Sequence, residues 1–247
     1  MRKITLFLLI GWVFTLTGDE LAQQMDSRRT PIDSKVDLLM TLTNKKGKTR
    51  SSSLHSIIKD DGTKQMIWFL EPADDKGISF LKIEHDDRDD EMRMWLPAFK
   101  KIRRISAKKR SDSFMGSDMS YEDMSSRQLD EFKFTLIGQE VYDSIACHLL
   151  ESIPREHMRT EYSRHITWVD STLLIPIKEE SFDKSGQLLK EKYFSYTIIK
   201  EYQILTKVHV TNIQKNHSTT LNFENIELDT GLKDDLFHER NLKRLPK

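Results

Sequence analysis

Eight histidines and a single cysteine are the residues of this 247-residue chain best suited to acid–base, nucleophilic or metal chemistry. Their arrangement supports none of the three. No G-x-S-x-G elbow, phosphate-cradling G-x-x-x-x-G-K, H-E-x-x-H or C-x-x-C occurs. His157 and His165 stand eight positions apart, beyond the i, i+4 reach of a helical ligand pair. No metal site and no cofactor is expected. Cys147 is the only cysteine, so no intrachain disulfide can form. Its setting in Ile145-Ala146-Cys147-His148-Leu149-Leu150 reads as a strand carrying a small buried hydrophobe. The run Glu84 to Glu91 is rich enough in carboxylates for calcium but lacks the glycine and spacing of a calcium loop, and it reads as a charged hairpin tip.

Charge patterning gives a different lead. Lys100, Lys101, Arg103, Arg104, Lys108, Lys109 and Arg110 fall within eleven positions. This cluster fits either a solvated hairpin balancing the acidic run or a docking patch for phospholipid headgroups or an acidic membrane partner. Formal net charge is zero, so bulk electrostatics gives no reason to expect nucleic acid. Ten methionines and four tryptophans bear on an apolar site. Flexible thioethers suit a surface that repacks around varied chains, although Met and Trp on strands also simply build cores.

The elements that would carry these residues are mostly strands. Val36, Leu38, Met40 and Leu42 alternate with Asp37, Leu39, Thr41 and Thr43, a period of two with one mostly apolar face. Asn44-Lys45-Lys46-Gly47, Asp60-Asp61-Gly62 and Asp183-Lys184-Ser185-Gly186 are turn signals. Met66-Ile67-Trp68-Phe69-Leu70 is apolar on both faces and predicts a strand covered on each side. Met92, Met94 and Leu96 face opposite Arg93 and Trp95. Further strands are predicted at Phe132-Phe134-Leu136, Ile145-Cys147-Leu149, Ile166-Trp168 and Tyr202 to Val210. The spacing is that of a meandering antiparallel sheet. Helices are predicted only at Asp19 to Met25, with Leu21, Ala22 and Met25 inward, at a capping start Ser120-Tyr121-Glu122-Asp123, and at Asp234 to Glu239.

Arg2 and Lys3 precede an uncharged apolar run from Ile4 to about Leu16, the layout of a secretory signal peptide. The run falls short of the roughly 20 residues of a spanning helix. Residues 1–18 are therefore expected to be a signal peptide, cut between 15 and 22, and residues 19–247 a single domain. Loss of Arg2 and Lys3 leaves two excess acidic residues.

Trp95-Leu96-Pro97, the basic pairs Lys100-Lys101 and Arg103-Arg104, Ser113-Phe114-Met115-Gly116-Ser117-Asp118 and Tyr121-Glu122-Asp123 form a recognisable series. Phe69-Leu70-Glu71-Pro72-Ala73-Asp74 lies upstream of it. Tyr162-Ser163-Arg164, Trp168-Val169-Asp170 and Gly231 to Phe237 lie downstream. Over most of its length the chain resembles the outer membrane lipoprotein-sorting protein family, in its longer LolA-like branch. The resemblance implies an α+β fold, mainly antiparallel β, in which an incompletely closed β-barrel has its concave side covered by a few short helices. It also implies a periplasmic, non-enzymatic carrier that binds acyl chains of lipids or lipoproteins in an apolar groove. The alternative is a periplasmic accessory of an inner-membrane RND-type transporter. Trp68, Met94, Trp95 and Phe114 are the expected groove or lid residues, and Lys100, Lys101, Arg103 and Arg104 the expected docking residues for a headgroup or partner.

Overall fold

The computed structural model describes residues 16–85 and 87–246. The expected signal peptide lies outside the described residues as far as residue 15. Thirteen strands form one antiparallel sheet: β1 (Asp33–Thr43), β2 (Thr49–Lys59), β3 (Lys64–Glu71), β4 (Ser79–Ile83), β5 (Glu91–Leu96), β6 (Lys101–Ile105), β7 (Phe132–Tyr142), β8 (Ile145–Pro154), β9 (Tyr162–Asp170), β10 (Pro176–Asp183), β11 (Leu188–Ile199), β12 (Tyr202–Asn212) and β13 (His217–Leu228). Their spatial order is β6-β5-β4-β3-β2-β1-β13-β12-β11-β10-β9-β8-β7. The first and last strands meet in the middle, while β6 and β7, consecutive in the chain, form the two free edges. The sheet is an open half-barrel. One helix, α1 (Gly18–Asp26), lies on its concave side.

Local chemistry accounts for the turns. The Asn44 side chain accepts hydrogen bonds from the amides of Lys46 and Lys48, and Asp183 does the same for Ser185 and Gln187. At Asp60-Asp61-Gly62 all three residues take positive φ, which Asp and Gly tolerate at modest cost. Helix α1 opens with a capping box in which the Thr17 hydroxyl accepts from the Glu20 amide and the Glu20 carboxylate accepts from the Thr17 amide. It buries Leu21 and Ala22 against Leu150 and Val169, with Met25 beside them. Gly18 allows this approach, since a Cβ there would fall 2.5 Å from the Thr135 amide nitrogen.

Alternation sorts the side chains between the two faces. Val36, Leu38, Met40, Leu54, Ile67, Phe69, Phe80, Met92, Met94 and Ile105 point inward and form one apolar cluster. On the outer face, Ile57, Met66, Trp68 and Leu81 are covered by the C-terminal tail through Leu232, Phe237 and Leu242. Strand β3 is thus covered on both faces, as its unbroken apolar run predicts. The tail begins at a clamp where buried Asp33 accepts from the amides of Thr230, Gly231 and Leu232. Burial alone would raise the Asp33 pKa, but these bonds outweigh it and lower it.

The expected later helices prove to be shorter, tighter elements. Glu122–Met124, Asp234–Leu236 and Glu239–Lys243 are 3₁₀ turns, and the last two lie on the convex face. The concave side is therefore covered by α1 and by one largely irregular segment. Cys147 is buried, donates to the Ile145 carbonyl, and burial raises its thiol pKa.

Candidate functional site

Because β6 and β7 are opposite edges, residues 106–131 between them must span the whole mouth of the half-barrel. This strap enters the inner cluster with Phe114 and Tyr121, whose rings pack on Phe80 at centroid distances of 5.4 and 5.8 Å. Gly116 turns the corner with φ +79, a conformation that costs an L side chain about 1 kcal/mol or more. Further along, the Ser120 hydroxyl accepts from the Asp123 amide and the Asp123 carboxylate accepts from the Ser120 amide, so Asp123 is held on a closed local turn.

Polar groups fasten the strap to both halves of the sheet. The buried ammonium of Lys82 donates to the Met124 carbonyl, and Glu84 accepts from the Ser126 amide. Asp118 accepts from the Thr219 hydroxyl. Arg110 pairs with Asp90 and donates to Ser125. β4 and β5 pair as a hairpin, and Glu84 and Asp90, between these strands, are anchors for the strap.

Farther across the concave face lies a buried ionic network that the sequence reading did not find. Asp123 accepts from Lys190, Lys192 and the Tyr162 hydroxyl. Lys192 also reaches Glu179 at 3.1 Å. Glu179 receives both terminal nitrogens of Arg127 from the strap, a forked pair. Strand register explains the convergence, because Thr167, Glu179, Lys192 and Val210 are successive cross-strand partners on one face. Burial would raise the Asp123 and Glu179 pKa values. The neighbouring lysines outweigh it at Asp123, and Arg127 with Lys192 at Glu179, so both stay well below the carboxylate norm. Burial and then the charge of Asp123 push the Tyr162 phenol well above its usual value.

His165 is 2% exposed. Its Nδ1 lies 3.2 Å from Arg127 Nη2 and 2.9 Å from the Ser181 hydroxyl. Burial, then Arg127, hold its pKa well below the usual value, so the ring is neutral at pH 7. Arginine has only hydrogens to offer, so Nδ1 accepts from it and the ring hydrogen resides on Nε2.

Between strap and sheet is a cavity of about 360 Å³. One wall, from β11, β12 and β13, is apolar: Phe194, Leu205, Val208, Val210, Leu221 and Phe223. Beside that wall on the same face of the sheet stand His165, Glu179 and Lys192, and the strap adds Asp123 and Arg127. Met119, Phe132 and Met158 complete the apolar lining, with Arg110, Glu122, Glu131 and Arg159 also present. Burial raises the pKa of both Glu122 and Glu131. The arrangement gives an apolar body a surface to lie against and places charged groups next to that surface. Among the described residues no three His, Cys, Asp or Glu side chains converge as metal ligands.

The structure separates the four residues expected in a groove or its lid, and of them Phe114 lies on the strap. Met94 and Phe114 are packed inside the inner apolar cluster, both 4% exposed, and neither lines the cavity. Trp68 and Trp95 lie on the outer face under the C-terminal tail, with the Lys243 ammonium 5.3 Å from the Trp95 ring centre. Side chains alternate along β5, so neighbours 94 and 95 cannot share a face. Lys100, Lys101, Arg103 and Arg104 are exposed at the β6 edge, but Arg103 and Arg104 project to opposite faces. The signal that could have revealed the true lining is polar residues at period two, Glu179 with Ser181 and Lys190 with Lys192, in strands aligned with apolar Val208 and Val210.

A family model described as an uncharacterized protein matches residues 61–244. Among curated proteins no match was found. Among solved structures, a domain from Vibrio parahaemolyticus named as an outer membrane lipoprotein-sorting protein is 32% identical. The match covers 92% of this chain and 98% of that one, with a TM-score of 0.85. A DUF1329 family protein from Desulfovibrio piger is 32% identical over 91% of this chain and 97% of its own, with a TM-score of 0.86. A LolA superfamily protein from Nitrosomonas europaea shares the fold at 18% identity, covering 92% of this chain and 100% of its own, with a TM-score of 0.73. An open antiparallel half-barrel, crossed by a strap and matched over nearly its whole length by structures 32% identical, places the chain in the outer membrane lipoprotein-sorting protein family.

Proposed function

We propose that the protein is a periplasmic, non-covalent carrier of acyl chains, from lipids or lipoproteins, and that the chain lies in the cavity beneath the strap. The observation that carries this reading is the apolar wall Phe194, Leu205, Val208, Val210, Leu221 and Phe223, open to a cavity on the concave face. Its volume falls at the lower end of ligand pockets, which run from about 300 to 1,000 Å³. Burying a 16-carbon chain releases on the order of 12 kcal/mol at about 0.8 per methylene, before the costs of association. Such transfer needs no covalent step.

Met94 and Phe114 serve this site from behind, by fixing the strap at the solid end of the concave face. Trp68 and Trp95 have no part in it. For export, a cut near Thr15 suits the fold better than one after Gly18, because Thr17 caps α1 and Gly18 seats it. The exposed basic residues of β6 suit a second role, docking on an inner-membrane RND-type transporter as an accessory. Pull-down from membranes with and without Lys100, Lys101, Arg103 and Arg104 reversed to Glu tests that role.

The carrier test is displacement of a fluorescent fatty acid. Leu221→Gln with Phe223→Gln is expected to weaken retention about tenfold or more, equivalent to about 1.4 kcal/mol, with an unchanged circular dichroism spectrum. Full affinity in this variant would sink the carrier reading.

A further inference from the structure

A second cavity, of about 310 Å³, lies where β5 and β6 meet the start of the strap. Its lining is basic: Arg104, Lys108, Arg110 and Arg159, against Asp89 and Asp90. Asp90 is already paired with Arg110. Among the described residues Arg104, Lys108 and Arg159 have no carboxylate partner, which leaves three cations against Asp89 alone. The Nε hydrogen of Arg110 is buried and unpartnered. A buried donor without an acceptor costs free energy that an arriving anion recovers.

Arg110 and Arg159 line this cavity and the acyl cavity alike. The two spaces are therefore neighbours across a pair of guanidinium groups. One has a wall of hydrocarbon and holds the paired charges of Asp123, Arg127, Glu179 and Lys192; the lining of the other has an excess of cations. A molecule spanning both would have an apolar chain joined to an anion with several acceptor oxygens. Guanidinium forks match phosphate oxygens well.

Building on the carrier reading, we propose that the basic cavity is a phosphate subsite, so that the carried molecule is a phosphate-bearing amphiphile whose chain occupies the first cavity and whose headgroup phosphate occupies the second. Arg104, Lys108 and Arg159 supply the charge, and Arg110 supplies a fixed donor between the two compartments. Free fatty acids and neutral glycerides fill only the first cavity.

The experiment compares two probes with one chain, 1-palmitoyl lysophosphatidylglycerol and 1-palmitoylglycerol, by competition against a fluorescent fatty acid. The full mature protein is used at low and high salt. The phosphate-bearing probe is expected to bind about tenfold tighter at low salt, with the advantage shrinking as salt rises. The double variant Arg104→Ala, Lys108→Ala should remove the advantage and leave 1-palmitoylglycerol unchanged, because neither residue lines the acyl cavity. Equal binding of both probes, or a double variant that keeps the preference, overturns the phosphate subsite while the carrier reading stands. Binding of neither probe overturns both. Inorganic phosphate is a third arm: if it saturates the basic cavity as tightly as the lipid does, the site serves free phosphate and the link to the acyl cavity is wrong.

Discussion

The two halves of the concave face are built on opposite principles. Between β1 and β6 it is mostly hydrocarbon, with Phe69, Phe80, Met92, Met94 and Phe114 at most 4% exposed, interrupted by the buried Lys82–Glu84 ion pair. Between β9 and β12 it carries buried His165, Glu179, Lys190 and Lys192, with the enclosed Asp123 carboxylate of the strap among them, and there the cavity remains. Apolar side chains close any gap they can, since each added contact is favourable and none is directional. Ion pairs must keep their bond lengths and angles, so a network spanning strap and sheet holds its walls apart. In this molecule the rigid polar half makes the space and the apolar half anchors the lid over it.

The comparison is broken most severely at Asp123. Asp123→Asn leaves Lys190 and Lys192 without their shared buried counter-charge and is expected to cost about 3–5 kcal/mol in urea unfolding. A loss below about 1 kcal/mol would mean that the network does not hold the strap. Acid attacks the same groups. Asp123 and Glu179 have folded pKa values below their ordinary 3.8 and 4.5, so their contribution is full above those values and is lost as pH falls below them. His165, depressed below 6.5, adds a milder decline that begins near that pH, because the unfolded ring gains a proton that the folded ring refuses. Stability should therefore slacken below about pH 6.5 and fall steeply below about pH 4.

Met94→Ala tests the other half. It should cost about 3 kcal/mol through lost burial and the void left behind. Affinity for the acyl probe should stay unchanged, since Met94 is remote from the cavity lining. A large change in affinity with little loss of stability would mean that the apolar half also opens. The smallest effect is expected at Gly116→Ala, about 1 kcal/mol by thermal melting, because φ is positive and the nearest atom to a new Cβ, on Leu42, is 3.9 Å away.

The strands β1, β3, β5, β7, β8, β9 and β12, the turns and α1 were legible because their causes are local. Alternation at Val36 to Leu42, the Asp60-Asp61-Gly62 turn and the inward set Leu21, Ala22 and Met25 each need only neighbouring residues. Period two was also sufficient to separate Met94 from Trp95, and proximity to family-like motifs obscured it. The ionic network was not legible, since Arg127, Asp123, Glu179 and Lys192 meet only once the register of β9 to β12 is known. The period-two spacing of Lys190 and Lys192 marks one strand face, but nothing local to it shows that this face is buried. The basic run was legible as charge, but its division between the open β6 edge and the basic cavity depends on where the strap begins.

The pairing of β1 with β13 has a consequence for how the molecule is made. Asp33 bonds to Thr230, 197 positions away, and the seam beside it cannot zip until the final strand has arrived. Contacts this distant in the chain slow folding, because loop closure is paid for before pairing rewards it. A circular permutant with the old ends joined and new ends within 106–131 would turn the sheet into an unbroken run of hairpins. It should fold faster and lose the roof of the cavity, so the slow natural order of strands is what keeps one continuous strap across the mouth.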